Sequence, residues 1–209
     1  MPLEMIDITP EVSADLKVWP GDTPPSREVL LDMKRGDNLT LSTLHTTVHA
    51  GAHADAPNHY ERDGRSIDAQ DLTPYIGSCT VVHVAAERGT RIPRSALPER
   101  IESARILIRT GTYPDPKAFN EDFAALEPDL VSSLAEQGVA LIGVDTPSVD
   151  LYTSKDLPAH AAFAAADMAI LEGLVLDDVP EGNYELIALP LKLTGFDASP
   201  VRAVLRPLS

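Results

Sequence analysis

Short apolar or β-branched runs, each bounded by turn residues, recur along the chain and predict strands over 39–48, 79–85, 106–110, 139–144, 174–176, 184–193 and 201–205. Helical signals are fewer. The segment 129–137 has Pro128 at its start and Gly138 just past its end, the asymmetry that marks a helix. A second helix is expected over 159–166, where alanine density raises helix propensity. Alternating and continuously apolar strands, with two or three helices among them, predict an α/β fold: a single mixed-sheet domain with few helices over 1–209. The 18 prolines and 12 glycines are spread throughout, with no linker, repeat or low-complexity block, which agrees with one unit.

Composition narrows the partners. With 17 Lys+Arg against 32 Asp+Glu, the formal charge is −15, and no basic cluster interrupts it. Such a field repels phosphate backbones and anionic headgroups, so no nucleic-acid or membrane partner is expected. Cys79 is the only cysteine, so neither an intrachain disulfide nor a thiolate metal knuckle is available, and a reducing compartment fits. Residues 1–7 lack the basic and apolar regions of a secretory leader, so a cytoplasmic protein is expected. Cys79 itself reads as a small core residue of a strand.

Candidate chemistry is concentrated in residues 49–60, His-Ala-Gly-Ala-His-Ala-Asp-Ala-Pro-Asn-His-Tyr, which hold three of the six histidines. Gly51 and Pro57 argue against a regular helix, and in an extended chain side chains alternate faces. His49, His53, Asp55 and His59 are all odd-numbered, so an extended path aims them the same way, with alanines between them that let the backbone run close under other structure. Imidazole nitrogen and carboxylate oxygen suit zinc, manganese or iron, and two or three protein ligands leave positions open for water or substrate. His45 and His83, taken singly, read as ordinary hydrogen-bonded residues. Trp19, the only tryptophan, sits in a loop flanked by proline and glycine and, taken alone, reads as a core residue. Taken alone, His160 reads as a helix-start residue and Glu172 as a solvated acid. A continuous helix would hold the two about 18 Å apart, too far to share an ion, but Gly173 and the apolar run after it suggest that the helix ends before Ile170 and that Glu172 opens a strand. Asp145-Thr146-Pro147-Ser148 follows a buried-looking strand and is left unassigned.

The pattern H-x-G-x-H-x-D-x-P-x-H over 49–59 resembles the signature of the cyclase-like metal-dependent hydrolases, whose fold is of the swivelling β/β/α type. Within that family the chain is similar to the bacterial kynurenine formamidases at Val18-Trp19-Pro20-Gly21-Asp22, Asp145-Thr146-Pro147-Ser148, Leu157-Pro158-Ala159-His160, Ile170-Leu171-Glu172-Gly173 and Ala198-Ser199-Pro200. It departs from many members at Ala52, where they carry Thr, and at Leu151-Tyr152, where they carry Asp-Pro. The resemblance implies one zinc ion on His49, His53 and Asp55, with Asp55 bridging to a second on His160 and Glu172, a formal +4 − 2 = +2. It further implies a homodimer that hydrolyses N-formyl-L-kynurenine to L-kynurenine and formate in tryptophan degradation. An activated water would attack the formamide carbonyl, His59 would carry the proton to the leaving nitrogen, and Trp19 would line the substrate cleft. Isatin or another cyclic or aryl amide is the alternative substrate, His59 as a fourth ligand is the alternative for that residue, and a non-catalytic metal- or ligand-binding protein is the alternative class.

Overall fold

The computed structural model describes residues 5–208; the first four residues of the N-terminal segment read for a leader lie outside that range. The strands are β1 (Ile6–Asp7), β2 (Ser26–Leu31), β3 (Leu41–His45), β4 (His53–Asp55), β5 (Ile76–His83), β6 (Arg91–Ile92), β7 (Arg105–Arg109), β8 (Ala125–Leu126), β9 (Leu141–Val144), β10 (Ala169–Glu172), β11 (Gly182–Ile187), β12 (Ala198–Pro200) and β13 (Val204–Pro207). The helices are α1 (Pro128–Glu136) and α2 (Pro158–Ala166). Nine strands form one mixed sheet in the order β1-β13-β11-β5-β7-β9-β10-β4-β12, and β2 and β3 form a separate antiparallel hairpin.

The centre of the sheet is parallel, from β5 through β7 and β9 to β10, and its flanks are antiparallel. Parallel neighbours need a crossover. Both helices serve as crossovers, α1 between β7 and β9 and α2 between β9 and β10. They cover one face, where Leu130, Leu134 and Phe163 pack with Ile106, Ile108, Ile142 and Ile170. The alternate residues Leu107, Leu141 and Leu171 face a second core on the other side. Burial on both faces explains why these strands read as continuous apolar runs. That second core also takes Tyr184 and Leu186 of β11, Leu205 of β13 and Ala54 of β4, so the sheet curls until its two flanks share an interior.

Both expected helices are present, with proline in the first turn of each; Gly138, with φ of 86°, follows the first. The strand expected over 174–176 is absent. Leu174 and Leu176 are buried, but their segment leaves the ladder after Glu172: Leu174 donates its N–H to Val144 and Val175 donates to Ile8. An apolar run signals burial, and here the burial occurs without strand pairing. Glu172 accordingly closes β10 and does not open a strand, because α2 already stops at Asp167 in the left-handed region with φ of 49°. The strand expected over 184–193 ends at Ile187, shortly before Pro190, which has no N–H for a ladder. Cys79 lies buried within β5. No helix among the described residues is long and apolar enough to cross a membrane.

Candidate metal centre

The carboxyl ends of the parallel strands open on a cavity of about 360 Å³, the position where open parallel sheets offer a crevice. Tyr113 after β7, Asp145 after β9 and Glu172 at the end of β10 all line it. β4 runs antiparallel beside β10 with His53 opposite Glu172 and Asp55 opposite Ile170. Along this stretch Ala52, Ala54 and Ala56 enter the core, so His53 and Asp55 occupy the other face, as period two requires. The extended path expected across 49–59 holds only for β4. His49 comes from the turn before it, and His59 from the short 3-10 turn Pro57–His59. The four residues still meet.

Their donor atoms converge. Asp55 Oδ1 lies 3.1 Å from His49 Nδ1 and 3.4 Å from His53 Nε2, and Asp55 Oδ2 lies 3.5 Å from His160 Nε2. Glu172 reaches His53 Nε2 at 3.3 Å and His160 Nε2 at 3.7 Å, while its Oε1 also accepts the Val149 N–H at 2.8 Å. Ring nitrogens of His59 and His160 and an oxygen of Asp55 fall within 4.8 Å of one another, as do donor atoms of His49, His53 and Asp55. For metal–nitrogen bonds near 2.0–2.1 Å, the edges of a tetrahedral donor shell measure about 3.3 Å, which these separations bracket.

The outward nitrogens of the three rings are all occupied. His53 Nδ1 donates to the Gly51 carbonyl at 2.9 Å, His160 Nδ1 donates to Asp150 Oδ2 at 2.9 Å, and His49 Nε2 stands 3.1 Å from Asp197 Oδ2. Outer-shell acceptors of this kind fix ring orientation and leave the other nitrogen with a lone pair for a metal. Inward, His53 Nε2, His160 Nε2 and both oxygens of Asp55 are buried with no hydrogen-bond partner. Four orphaned polar atoms facing one point would be costly unless a cation satisfied them. The residues therefore fit a metal. Without one, the carboxylates draw protons onto the rings: burial alone would lower His53 and His160, but the close carboxylates of Asp55 and Glu172 beside His53, and of Asp150, Asp55 and Glu172 beside His160, push both up to about 10. Burial would raise Asp55, yet His160, His49 and His53 hold it well below the usual carboxylate range.

Asp150 and Asp197 carry no signal in the sequence and are essential to this geometry. Asp197 is placed by register, because its carbonyl accepts the Ala56 N–H at 2.9 Å and the next residue, Ala198, pairs with Asp55. Trp19 stands in the cavity wall, with ring centroids 5.8 Å from Phe119 and 5.0 Å from Tyr152. Asp145, left unassigned from sequence, accepts the Thr110 and Gly111 N–H groups at 2.9 and 2.8 Å and so pins the loop that carries Tyr113. His45 and His83 are ordinary: His45 meets Glu28 on the exposed hairpin, and His83 bonds the Val179 carbonyl.

The family described as putative cyclase matches residues 6–151. Among solved structures, the chain is similar to a potential metal-dependent hydrolase with cyclase activity, at 26% identity and a TM-score of 0.84 over 99% of this chain and 98% of that one. It is similar to a predicted metal-dependent hydrolase from Bacillus stearothermophilus at 27% identity and a TM-score of 0.81, covering 97% of each chain. Isatin hydrolase A from Labrenzia aggregata shares the fold, with 23% identity and a TM-score of 0.80 over 97% of this chain and 93% of its own.

Proposed function

The chain belongs to the cyclase family, and from that membership and the donor geometry we propose that it is a metal-dependent hydrolase that cleaves N-formyl-L-kynurenine to L-kynurenine and formate. The observation that carries the reading is the set of inward-facing, unpartnered nitrogens and oxygens of His53, His160 and Asp55, each ring steered from behind by its own acceptor. His49, His53 and Asp55 would hold one ion, and Asp55, His160 and Glu172 a second. Two divalent cations also suit the charge: Asp55, Glu172, Asp150 and Asp197 give −4 and Arg91, paired with Asp150, returns +1, so −3 stands against +4 and the outer groups offset part of the +2 that the inner ligands alone would leave. Zinc, manganese and iron all suit these nitrogen and oxygen donors.

Bound divalent ions supply Lewis acidity toward a carbonyl oxygen and acidify water toward neutral pH. The chain's own residues do the rest. His59 is exposed on the cavity beside that centre, its ring centroid 4.3 Å from that of His49, and takes up the proton released as water adds to the formamide carbon. It passes that proton to the aryl nitrogen as the C–N bond breaks, leaving formate and a free amine. A histidine can do both near neutral pH. The aromatic wall of Trp19 and Phe119 supports an aryl substrate, since ring pairs in edge or offset contact contribute about 0.5–1.5 kcal/mol beyond burial.

The test combines metal analysis with an absorbance assay of deformylation. Purified protein should contain a divalent metal, lose activity on chelation, and regain it on adding zinc or manganese. His59→Ala should lower turnover by about 10²–10⁴-fold with metal content unchanged. Activity that survives complete metal removal would overturn the hydrolase reading. Turnover of isatin well above that of N-formylkynurenine would overturn the substrate alone.

A further inference from the structure

Asp197 touches two rings with one oxygen: Oδ2 lies 3.1 Å from His49 Nε2 and 3.4 Å from His59 Nδ1. An ionised carboxylate has no hydrogen to give, so each contact requires the ring nitrogen to be the N–H donor. One oxygen can serve both, since it offers two lone pairs. In a neutral His49 ring this leaves Nδ1, which faces Asp55, bare, the state a metal ligand needs. In a neutral His59 ring it leaves Nδ1 protonated and Nε2 bare on the far side of the ring. The backbone around the aspartate is held firmly. The Asp197 carbonyl accepts from Ala56, the Phe196 carbonyl accepts from Ile67, and the Gly195 N–H reaches Asp68.

We propose that Asp197 is a positioning residue that fixes His59 in the tautomer with Nδ1 protonated and Nε2 free to accept a proton. The catalytic part of this assignment rests on the reading of His59 as the proton carrier of a hydrolase. In water a neutral imidazole is free to place its hydrogen on either nitrogen, and only a fixed acceptor makes the choice permanent. A ring held the other way would present an N–H to the incoming water and could not take up its proton. Asp197 also joins the carrier to the ligand shell, because the same oxygen orients His49.

The experiment uses the full chain loaded with zinc and labelled with nitrogen-15 in its histidine rings, as wild type and as Asp197→Asn, which has nearly the same shape. Long-range nitrogen–proton spectra at pH 8 report which ring nitrogen carries the hydrogen. The wild-type His59 should show Nδ1–H with a bare Nε2, and the substitution should move the population toward Nε2–H. Deformylation kinetics provide the second readout. Assayed at saturating zinc, so that weaker support of His49 does not empty the site, Asp197→Asn should lower kcat by about 10²-fold, within the range that general acid–base catalysis supplies, with KM unchanged. In a His59→Ala background the same substitution should cost nothing further, because the two residues act as one unit. An Nε2–H tautomer in the wild type, or an equal loss of kcat in the His59→Ala background, would overturn the proposal. So would loss of metal with His59 unmoved, which would leave Asp197 serving His49 alone. Should the wild type hydrolyse no formamide, the formamide as substrate fails, and the nitrogen spectra still decide whether Asp197 sets the ring.

Discussion

Gly173 follows the last ligand-bearing residue of β10 with φ of 66°, and a methyl group there would overlap the Gly51 carbonyl oxygen. That oxygen is the acceptor for His53 Nδ1. Gly173→Ala therefore carries two costs: a left-handed conformation that alanine resists by about 1 kcal/mol or more, and displacement of the group that orients the proposed metal ligand His53. Metal affinity should fall along with stability, by about 10-fold or more, measured by competition with a chelating dye. Unaltered affinity in a destabilised variant would detach Gly173 from the site. At this scale the sequence was readable where chemistry clusters locally. His49, His53, Asp55 and His59 stand within eleven positions and do converge, and the alanines between them enter the core as their spacing implied. Asp197 was not readable, because it lies 148 residues from His49 and arrives through strand register. No local pattern reports a pairing of that range.

Elements bring the remaining proposed ligands in, and α2 shows how. Leu157, just before its first turn, has φ of 45° and offers no side-chain cap. Asp150, wholly buried, acts in its place from the preceding loop, accepting the N–H groups of Ala159 at 3.2 Å and His160 at 3.0 Å. The same carboxylate holds the His160 ring and pairs with Arg91 at 2.8 Å. Burial would raise Asp150, but its bonds to His160, Ala159 and Arg91 bring it down to about 2, so it stays ionised at any working pH. Asp150→Ala removes the cap, at about 1 kcal/mol, and strands a partly buried guanidinium, at a further 1–3 kcal/mol, which urea unfolding of the metal-free protein should register. Metal affinity should fall 10–100-fold, since the acceptor behind His160 is lost. Arg91→Met is the control: it breaks the ion pair but leaves Asp150 on His160, so affinity should hold. Equal affinity in Asp150→Ala would show that the helix alone aims the ring. Both helices were legible, α1 from Pro128 and Gly138 and α2 from its alanine density. Strand ends and the short strands β4, β10 and β12 were not, because a three- or four-residue strand owes its existence to its neighbours and not to its own periodicity.

Across the whole molecule, the centre ties together parts of the chain that have little else in common. The turn before β4, β4 itself, the first turn of α2 and the end of β10 all reach it, and β12 closes the opposite edge of β4. The composition made a mixed sheet with few helices predictable, yet the strand order, and with it the meeting of these four segments, depends on crossovers that composition does not encode. A metal bound there would act as a cross-link that exists only in the folded state. Binding to the native form alone stabilises by about 2.7 kcal/mol when free metal is 100-fold above its dissociation constant. For a domain of this size each kcal/mol moves the melting temperature by about 2–4 °C. Chelation should therefore lower Tm by roughly 5–10 °C, and re-addition of zinc or manganese should restore it. The effect should also exceed what screening explains. A chain with a net charge of −15 gains some stability from any salt, so an equal ionic strength of sodium chloride serves as the reference. The restoration should shrink in His160→Ala, whose ring stands between Asp55 and Glu172, while the response to sodium chloride persists. If the Tm of verified metal-free protein matched that of the loaded form, the ring of donors would not be holding the fold together, and the orphaned atoms of His53, Asp55 and His160 would need another partner.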